Sequence, residues 1–70
     1  MSDKCVAIID ELIKLRKAKG LTQKELAESA NLAQTAIARL KSKSAAPQLN
    51  TLLKVAGALG YRLTLEKETA

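Results

Sequence analysis

The side chains with the greatest capacity for specific recognition lie close together near the middle of the chain. Gln34 carries an amide, Thr35 a hydroxyl beside a methyl group, and Arg39 a guanidinium. An amide and a guanidinium can each make more than one hydrogen bond to a partner, and threonine offers a hydroxyl together with a methyl group. These residue types indicate recognition through hydrogen bonds and charge.

The rest of the composition gives little support to catalysis. The 70 residues include no histidine, so Cys5, the one cysteine, has no histidine partner for nucleophilic catalysis. One cysteine without histidine can neither close an internal disulfide nor supply the ligands of a structural zinc site. No glycine-rich phosphate loop is present. We therefore expect a protein that is not an enzyme and uses no cofactor or metal, with Cys5 as a small apolar residue near the first helix.

The charge distribution narrows the class of partner. The net charge is +5, and no acidic residue lies between Glu28 and Glu66, an interval that contains five cations. Such a segment attracts nucleic acid or an anionic membrane surface, although a solvated basic surface is an alternative. No Trp or Phe accompanies the basic residues, which disfavours membrane binding. Without a signal peptide or a long apolar run, we expect a cytoplasmic location.

The stretch from Leu21 to Leu40 predicts two short helices joined by a turn. Thr22 and Glu25 have the spacing of a capping box, so a helix should begin at Gln23. That helix should end near residue 30, because Asn31 tolerates the left-handed conformation of a sharp turn.

The second of these helices should begin around Gln34 and have one polar face. At 100° per residue, one side carries Ala33, Ala36, Ile37 and Leu40, and the other carries Thr35, Ala38, Arg39 and Ser42. Two helices, a turn and an outward polar face make a helix-turn-helix, whose second helix is shaped to enter the major groove of DNA.

Two further helices should complete a small aliphatic core. A first helix is expected from about Lys4 to Lys19, capped by Ser2 or Asp3 and ended by Gly20. Its predicted inward residues are Cys5, Ile8, Leu12 and Leu15, with Val6, Ile9 and Ile13 at the edge. A fourth helix is expected from Leu49 to Leu59, with Leu49, Leu52, Ala56 and Leu59 buried, Leu53 and Val55 beside them, and Gly60 as its stop.

In the tail, apolar residues recur at every second position and not at the spacing of three to four that is typical of a helix. Tyr61, Leu63 and Leu65 alternate with polar residues, which is the pattern of a half-buried strand. Because no other segment offers a strand to pair with it, we expect pairing with its own copy across a two-fold axis. The alternative is an extended tail packed on the helices. The predicted organisation is thus a DNA-binding domain at 1–60 and a dimerisation segment at 61–70.

The residues KGLTQKELAESANLAQTAIARL resemble the DNA-binding domain of the phage-repressor and Cro-like (XRE) helix-turn-helix family, with similarity from about Leu12 to Leu59. The resemblance implies an all-α fold, a lambda-repressor-like bundle of four helices, here with one C-terminal β-strand. The ending PQLNTLLKVAGALGYRLTLE is similar to HigA-type antitoxins. That similarity implies a dimeric repressor that binds a palindromic operator of its own toxin–antitoxin operon and neutralises a RelE-like mRNA-cleaving toxin.

The resemblance also assigns roles to individual residues. It places Gln34, Thr35 and Arg39 at base-reading positions. It places Gln23 at a phosphate-contacting position, and the further phosphate candidates are Lys24, Lys41, Lys43 and Ser44.

One position departs from the family. A glutamate usually follows the leucine that ends the recognition helix and pairs with an arginine of the first helix, whereas here the two positions hold Lys41 and Arg16. Either the helix end is rearranged, or Arg16 finds another acid such as Glu25, or both cations point at DNA phosphates. A usual glycine in the next loop is also missing.

Two other functions stay open at this stage. One is a phage Cro-like or repressor-like regulator. The other is a protein-interaction module that does not bind DNA, whose basic face contacts an acidic protein and which shows no sequence preference.

Overall fold

Four helices form the fold in the computed structural model, which describes residues 2–42 and 46–68. They are α1 (Asp3–Ala18), α2 (Gln23–Ala30), α3 (Gln34–Ser42) and α4 (Leu49–Ala58). Within these described residues, no helix is both long and apolar enough to cross a membrane. The four helices, with α2 and α3 joined by a short turn, confirm the predicted all-α bundle with a helix-turn-helix.

Local side-chain hydrogen bonds fix where the first two helices begin. The Ser2 hydroxyl accepts from the Cys5 N–H at 3.2 Å, so α1 begins at Asp3, one residue before the predicted start. At α2, the Thr22 hydroxyl accepts from the Glu25 N–H at 3.1 Å, and the Glu25 carboxylate accepts from the Thr22 N–H at 2.9 Å. The predicted capping box is confirmed, and it satisfies donors that the first turn of a helix leaves unpaired.

Three of the described helices end in the same backbone motif. Each is followed by a residue with positive φ, namely Gly20 at 72°, Asn31 at 57° and Gly60 at 84°. The next residue then donates its N–H back to the helix, with bonds from Leu21 to Arg16 (3.1 Å), Leu32 to Ala27 (2.8 Å) and Tyr61 to Ala56 (2.9 Å). These Schellman-type endings confirm the three stops read from Gly20, Asn31 and Gly60.

The core contains aliphatic side chains from all four helices. Its large buried members are Ile9, Leu12, Leu26, Ile37, Leu40, Leu52, Val55 and Leu59, with Ala27 and Ala56 between them. Cys5 is a free, half-buried thiol at the edge of this core, as expected. No polar side chain in the described residues is buried.

The buried face of α1 differs from the predicted one. Ile9 is 1% exposed, whereas Ile8, which was expected to face inward, is 40% exposed. Neighbouring helical positions are 100° apart and both are isoleucine, so apolar spacing could not decide between them. Packing against α3 selects the side that includes Ile9 and Leu12.

Helix α4 shows a similar shift at its start. Leu49, expected to be buried, is 65% exposed, and Val55, expected beside the buried face, is 1% exposed. Leu49 is the first residue of the helix. The inward face therefore begins only at Leu52.

The tail at 61–68 forms neither helix nor paired strand in the part of the chain described. Leu63 packs on the core, while Tyr61 is 55% exposed and Leu65 is 99% exposed. Of these three side chains, Leu63 alone contacts the core within the protomer. The strand itself was predicted to pair with a second chain, and it stays a prediction.

The capping box also lowers the pKa of Glu25. The Thr22 N–H, and to a smaller degree the Thr22 hydroxyl, hold the pKa of Glu25 below its ordinary value of 4.5 by hydrogen bonding to the charged carboxylate. A carboxyl group whose pKa is lowered on folding stabilises the fold above its unfolded pKa. That stabilisation is lost as the pH falls through the folded pKa.

Removal of the cap should destabilise the protein. Thr22→Ala deletes the acceptor for the Glu25 N–H, and we expect a loss of ~1 kcal/mol in the free energy of unfolding, or about 4–8 °C in Tm. Thermal melts followed by circular dichroism measure it, with Thr64→Ala in the exposed tail as the control. Equal Tm values for the two variants would show that the cap contributes nothing.

The contribution of Glu25 should depend on pH. Relative to the parent, Glu25→Ala should be less stable at neutral pH, and the difference should shrink as the pH falls below about 4.5. Urea titrations at a series of pH values measure this. A difference that stayed constant down to acidic pH would contradict the assigned hydrogen bond.

Candidate nucleic-acid interface

The orientation of α3 follows from two buried side chains. Ile37 is 4% exposed and Leu40 is 6% exposed, and the helix contacts both α1 and α2. Ala36 is half-buried on the same side, whereas Ala33, predicted to share it, is exposed. Burial at positions 37 and 40 leaves the opposite face of α3 open to solvent.

The predicted polar ridge lies on that open face. Thr35, Ala38 and Arg39 are all exposed, as the sequence analysis expected. Thr35 and Arg39 are four residues apart, so their side chains are neighbours on the helix surface. Gln34 is exposed at the first position of α3. An amide, a hydroxyl with a methyl and a guanidinium are thus available together to one partner.

The predicted phosphate-contacting residues lie at two helix ends. Gln23 is half-buried at the first position of α2, and Lys24 beside it is exposed. Lys41 is exposed in the last turn of α3. Lys43 and Ser44 fall outside the described residues.

Arg16 has an unexpected partner. Its Nη1 donates to the Leu21 carbonyl at 2.6 Å, and the Leu21 N–H donates to the Arg16 carbonyl at 3.1 Å. Arg16 does not pair with Glu25 in the structure: its guanidinium donates to the Leu21 carbonyl, whereas the Glu25 carboxylate accepts from the Thr22 N–H. Helix α3 includes Lys41 and is described as far as Ser42, and residues 43–45 lie outside the described residues, so the alternative of a rearranged helix end stays a prediction.

A small apolar pocket lies beside these groups. About 20 Å³ of space is enclosed mainly by core aliphatic residues, with Arg16, Gln23 and Lys41 among the lining side chains. This space is close to that of one water molecule, so the pocket is too small for a cofactor. Its lining is almost wholly apolar, so the hydrocarbon parts of these three side chains are what border it.

A second, open groove of about 440 Å³ separates α3 from the start of α4. Gln48 and Thr51 line it together with Arg39. Sequence reasoning did not select Gln48 or Thr51. Both are polar and lie at the start of the helix after Pro47, and this was the sequence feature that could have indicated them. Only the tertiary structure shows that they line the same groove as Arg39.

Comparison with known proteins agrees with this geometry. A helix-turn-helix family model matches residues 12–65. An uncharacterized HTH-type transcriptional regulator from Haemophilus influenzae is 42% identical over 60 residues, covering 86% of this chain and 61% of the relative. The immunity repressor protein of Bacillus phage phi105 is 44% identical over 50 residues, covering 71% of this chain and 35% of the repressor. The chain thus spans about three fifths of the length of the Haemophilus influenzae relative and about one third of the length of the phage repressor.

A solved structure is similar over nearly the whole chain. A chain in the structure of a toxin–antitoxin module from Streptococcus pneumoniae superposes with a TM-score of 0.80 at 42% sequence identity, covering 94% of this chain and 73% of that one. The family match includes the capped α2, the left-handed turn at Asn31 and the exposed ridge of α3. The chain belongs to the helix-turn-helix family.

Proposed function

We propose that this protein is a dimeric, sequence-specific transcriptional repressor of the antitoxin type. In this proposal it binds a palindromic operator of its own operon and neutralises a co-encoded RelE-like mRNA-cleaving toxin. The observation that carries the DNA-binding part is the exposed ridge of Thr35 and Arg39 on a helix held by Ile37 and Leu40. Family membership supports the same reading.

In the DNA complex, α3 lies in the major groove and Ala38 allows close approach because its side chain is small. The Arg39 guanidinium donates to O6 and N7 of guanine, and the Gln34 amide bonds N6 and N7 of adenine. The Thr35 methyl contacts a thymine methyl. Phosphate contacts fix the register of the helix without reading sequence, and they come from Gln23, Lys24, Lys41, Lys43 and Ser44.

Dimerisation is assigned to residues 61–70. Leu65 is 99% exposed and Tyr61 is 55% exposed, so the protomer leaves both apolar side chains in water. Pairing of this segment with its copy would bury them and would satisfy backbone groups of an edge strand. Two recognition helices related by a two-fold axis would then meet half-sites one helical turn apart, roughly 34–36 Å.

The toxin-binding part has separate support. It comes from the likeness to a chain of the Streptococcus pneumoniae toxin–antitoxin module, at 42% identity and a TM-score of 0.80. The similarity to a phage immunity repressor favours a second candidate, a phage-type regulator without a toxin partner. Co-expression with the neighbouring reading frame separates the two, since only an antitoxin would form a complex with its product and relieve growth arrest.

Loss of the guanidinium should weaken specific DNA binding. Arg39→Ala is expected to raise the Kd for the DNA upstream of its own gene by at least ~10-fold, which corresponds to ~1.4 kcal/mol for a lost bidentate base contact. Gel-shift titration at fixed salt measures the change. Arg39 is exposed, so the fold should remain intact.

The matched control is Lys54→Ala, which removes a positive charge from an exposed position of α4, outside the segment assigned to dimerisation. It should change the Kd for specific and scrambled DNA to the same small extent. If Arg39→Ala bound both DNAs as tightly as the parent, α3 would not be the reading element.

The dimer can be tested at a single side chain. Leu65→Lys should leave protomer folding unchanged because Leu65 is almost fully exposed, but it should place charges in the proposed interface. Sedimentation velocity should show a monomer, while the neighbouring change Thr64→Lys should remain largely dimeric. A Leu65→Lys protein that sediments as the parent dimer would refute pairing through this face.

A further inference from the structure

Most of the exposed apolar surface lies on α4 and on the tail that follows it. In the described part of the chain, five large apolar side chains stay exposed, and four of them belong to these two segments, namely Leu49, Leu53, Tyr61 and Leu65. The Tyr61 N–H donates to the Ala56 carbonyl at 2.9 Å, which ties the start of the tail to the end of α4. The exposed apolar side chains of α4 therefore adjoin the segment assigned to dimerisation.

Leu49, Leu53 and Gly57 form one row along α4, which we call the α4 row. They are four residues apart, so each lies close to the previous one on the helix surface. All three are exposed, with Leu49 at 65% and Leu53 at 45%. Rows with this spacing are the ridges through which helices in globular proteins most often pack against each other. The α4 row thus has the form of a helix-packing surface that the described protomer leaves in solvent.

Gly57 is not explained by packing within the protomer. It lies in the interior of α4, where only proline is less favourable than glycine, and its φ is not positive. A Cβ added at Gly57 would meet no packing neighbour within 4 Å. The advantage of glycine at such a position is that it lets a second backbone approach closely. An exposed glycine in the α4 row therefore indicates contact with another molecule.

The tail by itself offers a small interface for a dimer. Specific interfaces cover about 800 Å² on each partner. A fully covered aromatic side chain contributes roughly 150–250 Å², and Tyr61 is already partly covered, so complete burial of Tyr61 and Leu65 supplies less than half of that area. A pair of strands is also marginal in water unless it packs against a helix. A dimer that pairs its tails thus needs further surface next to them.

The charge of the chain favours a second copy as the partner of the α4 row. Each chain carries +5, so two copies repel each other and associate most readily through uncharged surface. The α4 row is uncharged, and the one charged residue in the sequence of α4 is Lys54. Lys54 lies about 100° around the helix from Leu53, off the row. A partner recognised through negative charge would instead bind the basic residues.

We propose that the α4 row is the helical part of the dimer interface, where α4 of one protomer packs across the two-fold axis on α4 of a second copy. The same patch then contacts itself, as in every isologous interface. Gly57 lets the two helices approach, and the paired tails lie beside the helix pair. The inference rests on the proposed dimeric repressor and adds to it a surface outside residues 61–70. The polar ridge belongs to α3, so this contact leaves it free for DNA.

Gly57→Gln tests the close approach of the two helices. The new side chain has room in the protomer and glutamine is a better helix former, so the Tm measured below the dimer Kd should not fall. In the dimer it enters the contact, and the dimer Kd should rise at least ~10-fold. Sedimentation velocity over a concentration series measures the Kd. The matched control is Lys54→Gln, which places the same residue off the row and should not raise the Kd.

Thiol cross-linking locates the two-fold axis independently of stability. In a Cys5→Ser background, Leu53→Cys should be joined to its copy by a short bifunctional thiol reagent. Lys54→Cys, one position along the same helix, should be joined much more slowly because it faces away from the partner. Denaturing gel electrophoresis of timed samples measures both rates at one protein concentration.

The outcomes separate the two proposals. A parent that stays monomeric at every concentration would overturn the dimeric part of the proposed function. A parent dimer that Leu65→Lys dissociates would overturn the α4 contact alone if Gly57→Gln kept the parent Kd and Leu53→Cys reacted no faster than Lys54→Cys. An unchanged dimer Kd for Gly57→Gln, with a weakened complex with the product of the neighbouring reading frame, would assign the α4 row to a toxin and equally overturn the contact between copies.

Discussion

Burial of Ile37 and Leu40 is the constraint on which the rest of the structure depends. Helix α3 has nine residues, and a helix of that length is marginal in water unless an apolar face is packed. The two side chains supply that face against α1 and α2. The same packing fixes the rotation of α3 about its axis, so Thr35 and Arg39 must lie in solvent. Stability and recognition are thus set by opposite sides of one short helix.

The junctions between helices hold this arrangement in place with local interactions. Gly20, Asn31 and Gly60 reverse the chain through positive φ angles, and the capping box at Thr22 begins α2 at a fixed residue. The paired bonds between Arg16 and Leu21 add a side-chain link across the first junction. As a result, Gln23 at the start of α2 and Lys41 at the end of α3 border one pocket over the core.

Features that depend on local interactions could be predicted from the sequence, whereas features that depend on packing between helices could not. Residues such as Thr22, Glu25 and Asn31 act on atoms within a few positions along the chain, so their roles could be predicted and were confirmed. Ile8 and Leu49 were assigned to the core and proved to be exposed. The choice between adjacent apolar positions is made by the neighbouring helix, and periodicity does not contain that information. The partner of Arg16 was missed for the same reason, since a backbone carbonyl leaves no signature in the sequence.

The amino-acid sequence by itself determined the order and limits of the helices, the basic charge and the polar face of α3, because these follow from local hydrogen bonds and helical period. Tertiary structure alone decided which side of α1 is buried, how Arg16 is held, and that Arg16, Gln23 and Lys41 share one pocket. The shared pocket, for example, joins Arg16 and Lys41, which are 25 positions apart in the sequence. Only the packing of three helices around a common core brings such residues together.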